Sequence, residues 1–394
     1  MLQIISNMFI ERRIAQQIKL QKDKFPVLAV TGPRQSGKTT LLRKLFEGYE
    51  YVSLENPDIR QFAENDPIGF LDRYEQYVIF DEVQRVPHLF SYIQGRVDES
   101  GIMGQYILSG SQNFHLLKSI TQSLAGRVAL FKLLPLDFVE LTENQLLPVD
   151  YTSALVKGTY PAIFDRDIHP SVFYTNYVQT YVEKDVTELL NVRDTRQFRQ
   201  FLGLCAGRAG QLLNISALAN ECDIAFNTAK AWLSILESSY LIFLLQPYYQ
   251  NHNKRLVKTP KLYFYDTGLL CHLLGIKNAE QLETDRVKGS LFENMVIAEY
   301  QKKSYHLYEH QAFHFWQDTY GNEIDLLWLD GRFCYAVEIK ATKTVTTDLF
   351  KQLDKFETGS GISTQIRKVL VYGGNDHQHR TNYEVRSWRL TGRD

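Results

Sequence analysis

The chain has 394 residues, which at roughly 100–200 residues per domain predicts two to four domains. Its 44 Lys and Arg against 45 Asp and Glu leave a formal charge of −1, so no global field draws it to polyanions and any nucleic-acid contact must come from local patches. With 44% apolar and 13% aromatic residues disorder is excluded as the default, and the longest strictly apolar run, Leu241 to Leu245, is too short to span a membrane.

Met1 to Ile10 lacks the basic start and unbroken apolar stretch of a signal peptide, so a cytoplasmic protein is expected. Cys205, Cys222, Cys271 and Cys334 are far apart with no CxxC pair, a spacing that predicts buried thiols rather than zinc ligands or disulfides. From Phe25 to about Leu136, β-rich runs (Val27 to Thr31, Tyr51 to Leu54, Tyr77 to Phe80, Tyr106 to Ser109, Val128 to Leu133) alternate with helix-like stretches. That rhythm predicts a parallel sheet covered by helices over residues 1–135. Residues 136–195 read as a helical lid or connector in which Val172 to Leu190 is the clearest helix. Residues 196–280 read as a winged helix, and residues 281–394 return to strands flanked by helices.

Directly after the first strand, Gly32, Pro33, Arg34, Gln35, Ser36, Gly37, Lys38 and Thr39 match GxxxxGK[ST], with Thr40 following and Leu41, Leu42 and Leu45 at helical spacing. This strand, loop and helix order is what a phosphate-binding loop requires. Its backbone N–H groups and helix N-terminus would hold the phosphates of ATP, Lys38 would reach the β/γ-phosphates, and Thr39 would ligate Mg²⁺. The strand Tyr77 to Phe80 ends in Asp81 and Glu82. Asp81 would hold the Mg²⁺ ion through water, and Glu82 would polarise the attacking water. Ser109 or Ser111, at the end of the next strand, is expected beside the γ-phosphate. Arg127 is a candidate arginine finger acting on a neighbouring subunit, or else a surface arginine.

The GPRQSGKTT loop, the VIFDEVQ strand, the LSGSQN turn and the SLAGRV and LLPLDFVEL segments resemble bacterial and archaeal AAA+-type ATPases that carry a C-terminal domain of unknown function. The resemblance continues through Gly158-Thr159-Tyr160-Pro161 and Tyr181-Val182-Glu183-Lys184-Asp185 and covers nearly the whole chain. It implies ATP binding, a similar domain order and a homo-oligomer.

In the winged-helix region, Ile215, Leu218 and Ala219 form one apolar helix face and Ala229, Trp232, Leu233 and Leu236 the next. Pro247 to Lys261 then carries Lys254, Arg255, Lys258 and Lys261 without a carboxylate, a composition suited to nonspecific contact with the DNA backbone. Asn227, Thr228 and Lys230 are the groups left to read bases, and a purely structural winged helix is the alternative.

In the last segment, Glu293 is on a helix-like stretch, Asp325 begins an apolar strand, and Glu338 and Lys340 end the following one on a shared face. Asp325 and Glu338 would share Mg²⁺ with help from Glu293, while Lys340 would orient a water nucleophile. This E…D…ExK order resembles the PD-(D/E)XK nuclease superfamily and implies an α/β restriction-endonuclease-like fold. The sequence thus points to an α/β multidomain ATPase that acts on DNA through a nuclease-like domain. The alternative is a nucleotide-dependent regulatory or scaffold protein whose last domain binds a partner and cleaves nothing.

Overall fold

The computed structural model describes residues 9–111, 123–182, 195–248, 257–360, 362 and 364–393. Lys254 and Arg255 of the basic stretch, Glu183 to Asp185, and the end of the helix expected to Leu190 lie outside the described residues.

In the first third of the chain, β-branched and aromatic runs form β1 (Val27–Thr31), β2 (Glu50–Ser53), β3 (Val78–Asp81), β4 (Tyr106–Gly110) and β5 (Val128–Lys132). Among the described residues they pair in the order β2-β3-β4-β1-β5, and each pair is parallel. Every residue of β1, β3 and β4 is buried, as a sheet with helices on both faces requires. The helices Ile14–Lys22 and Lys38–Leu45 pack on the face bearing Leu28, Val30 and Ile107. Pro67–Arg73 and Leu89–Ser100 cover the face of Ala29, Phe80 and Leu108. Because the strands are parallel, β1, β3 and β4 deliver their C-terminal ends to one edge, where ligands of such sheets bind.

The connector is helical as expected, with Phe138–Glu143, Tyr151–Lys157, Pro161–Asp165 and Pro170–Tyr177 followed by a looser π-type turn, Val178–Val182. Three more helices, Thr195–Ala206, Ile215–Glu221 and Phe226–Ser238, precede the antiparallel pair β6 (Ile242–Pro247) and β7 (Lys261–Phe264). Leu218, Ala219, Ala229, Trp232, Leu233 and Leu236 are buried, and Trp232 meets Phe198 and Phe201 edge-on at 5.3 Å each.

The structure departs from the expected free wing. β6 also pairs in parallel with β8 (His314–Gln317), so β6 and β7 form the edge of an eight-stranded mixed sheet. Its other strands are β9 (Glu323–Asp330), β10 (Phe333–Lys340), β11 (Gln365–Tyr372), β12 (Gln378–His379) and β13 (Glu384–Ser387). Among the described residues the order is β12-β13-β11-β10-β9-β8-β6-β7. Lys261, expected to contact phosphate from the wing, is instead 4% exposed, because its ammonium turns inward to Glu293 and Glu323.

The long helix Lys288–His306 joins this sheet to the first one. Its Lys302 Nζ donates to the Leu136 carbonyl (3.1 Å), Thr159 Oγ1 (2.9 Å) and Glu299 (2.7 Å). Glu299 also accepts from Phe138 N at 2.6 Å. Burial pushes the Glu299 carboxyl up to about 7, against the pull of Lys302. Above the ordinary carboxylate range and below about 7, the folded state therefore holds a proton that the unfolded state has released, so this contribution to stability is lost as pH rises. Between about pH 5 and about pH 8 the urea midpoint of the wild type should fall by the equivalent of roughly 1–3 kcal/mol more than that of Glu299→Gln. Parallel pH profiles of the two proteins in urea unfolding would refute this assignment.

Candidate functional site

Gly32 to Gly37 turn from the buried end of β1 into the helix Lys38–Leu45. Gly32 has to be glycine, since a Cβ there would be 2.1 Å from the Leu133 carbonyl oxygen. Lys38 is buried and donates to the carbonyls of Gly32 (2.9 Å) and Pro33 (2.8 Å). Burial brings it down to about 8, against the raising effect of Glu82 and Asp81 and with Arg34 adding to the fall. Such an ammonium is kept charged by whatever anion enters the loop.

Asp81 ends β3 opposite the loop. It accepts from Thr39 Oγ1 at 2.9 Å and from the Tyr51 hydroxyl at 2.6 Å. Glu82 follows in the left-handed region, with φ of 55°, and accepts from Gln84 and from Ser111 Oγ, the latter at 3.1 Å. β4 runs between β1 and β3, which is why its end can reach both. Ser109 Oγ is buried with no hydrogen-bond partner among the described residues, so the two serines expected beside the γ-phosphate divide: Ser111 touches Glu82, Ser109 does not.

Loop, Thr39, Thr40 and Glu82 line a recess of about 450 Å³ closed by Ile10, Leu136 and Pro161. Arg34 also borders it, 5.4 Å from the Tyr181 ring. The GTYP segment thus reaches the recess through Pro161. Thr159 behind it donates from N (2.8 Å) and Oγ1 (3.1 Å) to Asp266 and accepts from Lys302.

Arg127 is not brought to this recess. It precedes β5, at the opposite edge of the sheet, where its carbonyl accepts from Val27 N and its guanidinium grips Asp98 at 2.5 and 2.8 Å. The role expected for it can therefore be exercised only on a neighbouring copy.

In the second sheet Asp325 on β9 and Glu338 and Lys340 on the antiparallel β10 come together. Asp325 accepts from Ile339 N at 2.7 Å. Lys340 Nζ is 2.6 Å from Glu338 and 3.6 Å from Asp325. Glu338 Oε2 is buried and has no hydrogen-bond partner among the described residues. Glu293, on the long helix, accepts from the Tyr263 hydroxyl at 2.5 Å and is 3.6 Å from Lys261 Nζ. Lys261 also pairs with Glu323. The carboxylates that converge to metal-binding distance are Glu293, Glu323 and Asp325, within 4.8 Å of one another. Glu338, expected to share the metal ion with Asp325, borders this triad, with its Oε1 held by Lys340 and its Oε2 left over.

If all four carboxylates were ionised, they would exceed the two lysines Lys261 and Lys340 by two charges. Burial and Asp325 push Glu293 up to about 7 and Glu338 up to about 8, against the pull of the lysines. Against burial, Asp325 and Glu338 hold Lys340 above its ordinary value. The excess of carboxylates, the orphaned Glu338 oxygen and the all-oxygen donor set fit Mg²⁺ or Mn²⁺.

Sequence reading missed Glu323, though its place two residues before Asp325 puts both on one strand face. It also missed Tyr263, Tyr51 and Arg12, for which the local sequence holds no signal. Arg12 is 7% exposed and spends its guanidinium on the Ser36 carbonyl (2.8 Å), the Leu134 carbonyl (2.7 Å) and Glu140 (3.1 Å).

A family model described as AAA domain matches residues 24–142, and models described as domains of unknown function (DUF8612 and DUF4143) match 149–280 and 288–390. An uncharacterized protein of Mycobacterium tuberculosis is 32% identical over 350 residues, covering 86% of this chain and 76% of its own. One of Methanocaldococcus jannaschii is 24% identical over 322 residues, covering 73% and 69%. Among solved structures, the Walker-type ATPase of Pyrococcus abyssi is 15% identical and covers 67% of this chain and 96% of its own, with a TM-score of 0.45.

Arg12→Ala should lower stability by about 3–5 kcal/mol, because Glu140 would keep its buried charge without its guanidinium partner. It should also weaken ATP binding by about tenfold as the Ser36 carbonyl loses its anchor. Arg12→Lys should recover little, since an ammonium lacks the three-way fork. Urea unfolding and fluorescent-ATP titration measure both, and wild-type values in either assay would remove Arg12 from the site.

Proposed function

We propose, from the premise that this chain belongs to the family of AAA-domain proteins that carry a C-terminal domain of unknown function, that it hydrolyses ATP and applies a metal-dependent nuclease-like domain to DNA. The AAA domain over residues 24–142 supports the ATPase half. In it, Lys38, now held by the Gly32 and Pro33 carbonyls, would turn to the β/γ-phosphates, and Thr39 and Asp81 would hold Mg²⁺, which would supply charge neutralisation. Glu82, oriented by Ser111, polarises the attacking water. Ile10, Leu136 and Pro161 offer apolar contact to the base.

The observation that carries the nuclease half is the carboxylate cluster with its excess of carboxylates over lysines and Lys340 at its edge. Glu293, Glu323 and Asp325 would hold Mg²⁺ or Mn²⁺, and Lys340 would position water and stabilise charge developing on a phosphate. Asn227 and Lys230, exposed on the helix Phe226–Ser238, and exposed Lys258 favour contact with DNA. The scaffold reading is favoured by one specific observation: Lys261 already pairs with both Glu293 and Glu323, where a metal ion would sit.

Lys38→Ala should reduce ATP turnover at least about hundredfold and weaken binding, whereas Glu82→Gln should retain ATP and stall hydrolysis. Wild-type turnover by both variants, measured as phosphate release, would sink the ATPase assignment. With DNA and Mg²⁺ or Mn²⁺, Asp325→Asn should abolish cleavage and Lys340→Ala should reduce it at least about hundredfold, both with ATP turnover intact. Absence of cleavage by the wild type across single- and double-stranded substrates would establish the scaffold reading.

A further inference from the structure

We propose that His377, His379 and Glu384 form a second metal site, for a divalent transition-metal ion of the zinc class, at the far edge of the second sheet. β12 and β13 pair antiparallel with His379 directly opposite Glu384. His377, just before β12, turns its ring to His379. Their imidazole Nε2 atoms are 3.0 Å apart, with ring planes at 89° and centroids 4.5 Å apart. Glu384 Oε1 is 3.9 Å from His377 Nε2, and one donor atom from each of the three residues is within 4.8 Å of the others.

Two nitrogens bound tetrahedrally to zinc at about 2.0–2.1 Å are separated by about 3.3 Å, so the histidine pair is already close to ligand spacing. Without metal, two Nε2 atoms facing each other can share only one proton, and a bound ion displaces that proton and takes both lone pairs. Glu384 is steadied from behind by the largely buried Arg386, which donates to Oε1 at 2.5 Å and to Oε2 at 2.9 Å. Each carboxylate oxygen keeps a second lone pair for a metal ion, and ligands oriented in this way are the usual arrangement in metal centres.

The donor set of two imidazoles and one carboxylate suits Zn²⁺, Ni²⁺ or Cu²⁺ rather than Mg²⁺. That chemistry separates it from the all-oxygen cluster at Glu293, Glu323 and Asp325, and the inference rests on neither proposed activity. Its physical effect is a clip: β12 is a two-residue edge strand paired to β13 only through Gln378 with Val385 and His379 with Glu384, and an ion bound across the pair ties that edge to the sheet. The four cysteines are buried and do not compete for metal in the native protein.

The test uses the untagged full-length protein, stripped with chelator and titrated with Zn²⁺ alone by calorimetry, with Co²⁺ as a spectroscopic substitute. The wild type should take up one equivalent of Zn²⁺ saturably, show the visible absorption of Co²⁺ in nitrogen and oxygen coordination, and gain thermal stability on binding. His377→Ala/His379→Ala should weaken Zn²⁺ binding at least about hundredfold and remove the Co²⁺ band, and Glu384→Gln should weaken it about tenfold. If the double variant unfolds, His377→Ala alone, at a side chain 33% exposed, provides the same comparison. Unsaturable binding of several equivalents, or one tight equivalent that persists without the histidines, would overturn the proposal.

Discussion

The structure depends on placing charged groups out of water at the junction of its two sheets and giving them partners. Arg12 and Lys302 are both buried there. Between them they contact the Ser36, Leu134 and Leu136 carbonyls, Thr159, Glu140 and Glu299. His306 Nδ1 adds a contact of 2.9 Å to Asp137, whose side chain caps the helix that carries Glu140. Ion pairs of this kind contribute little net stability against apolar replacements, but each partner is costly to remove alone. Their effect is to determine which surfaces meet: the phosphate loop is held by the N-terminal segment, and that segment by the helix Phe138–Glu143.

The long helix Lys288–His306 carries this constraint to the second site. Glu293 points into the carboxylate cluster, and Lys302, nine residues on, holds the back of the nucleotide recess. At 1.5 Å per residue the two anchors are about 14 Å apart along a single rigid element. One helix thus braces both sites, and the apolar core around it includes residues from Ile10 to Trp388.

Both sites hold carboxylates, but in different states of compensation. Asp81 is met by hydroxyls from Thr39 and Tyr51, neutral donors that a metal ion can displace or share. The cluster at Asp325 is met by ammonium groups, and burial with the neighbouring Asp325 shifts Glu293 and Glu338 toward their protonated forms. A divalent cation would reverse that protonation, since coordination favours the ionised carboxylate. The hairpin histidines differ again, because imidazole offers a neutral nitrogen that binds softer metals without an excess of negative charge.

By itself the sequence determined the features that depend on short stretches of backbone. These are the five strands of the first sheet, the loop from Gly32 to Thr39, the acidic strand end at Asp81 and Glu82, and the inner faces of the helices around Trp232. Each is set by periodicity, by glycine at a crowded turn or by residues adjacent in the chain, so local physics suffices. Only the tertiary structure decided that Lys261 belongs to a buried ion pair rather than a basic wing, that Ser111 rather than Ser109 meets Glu82, that Arg127 is far from its own phosphate loop, and that Arg12 braces that loop from 24 residues away. A charged side chain takes its role from whichever partner long-range folding brings within a few ångströms, and a one-dimensional pattern does not encode that distance.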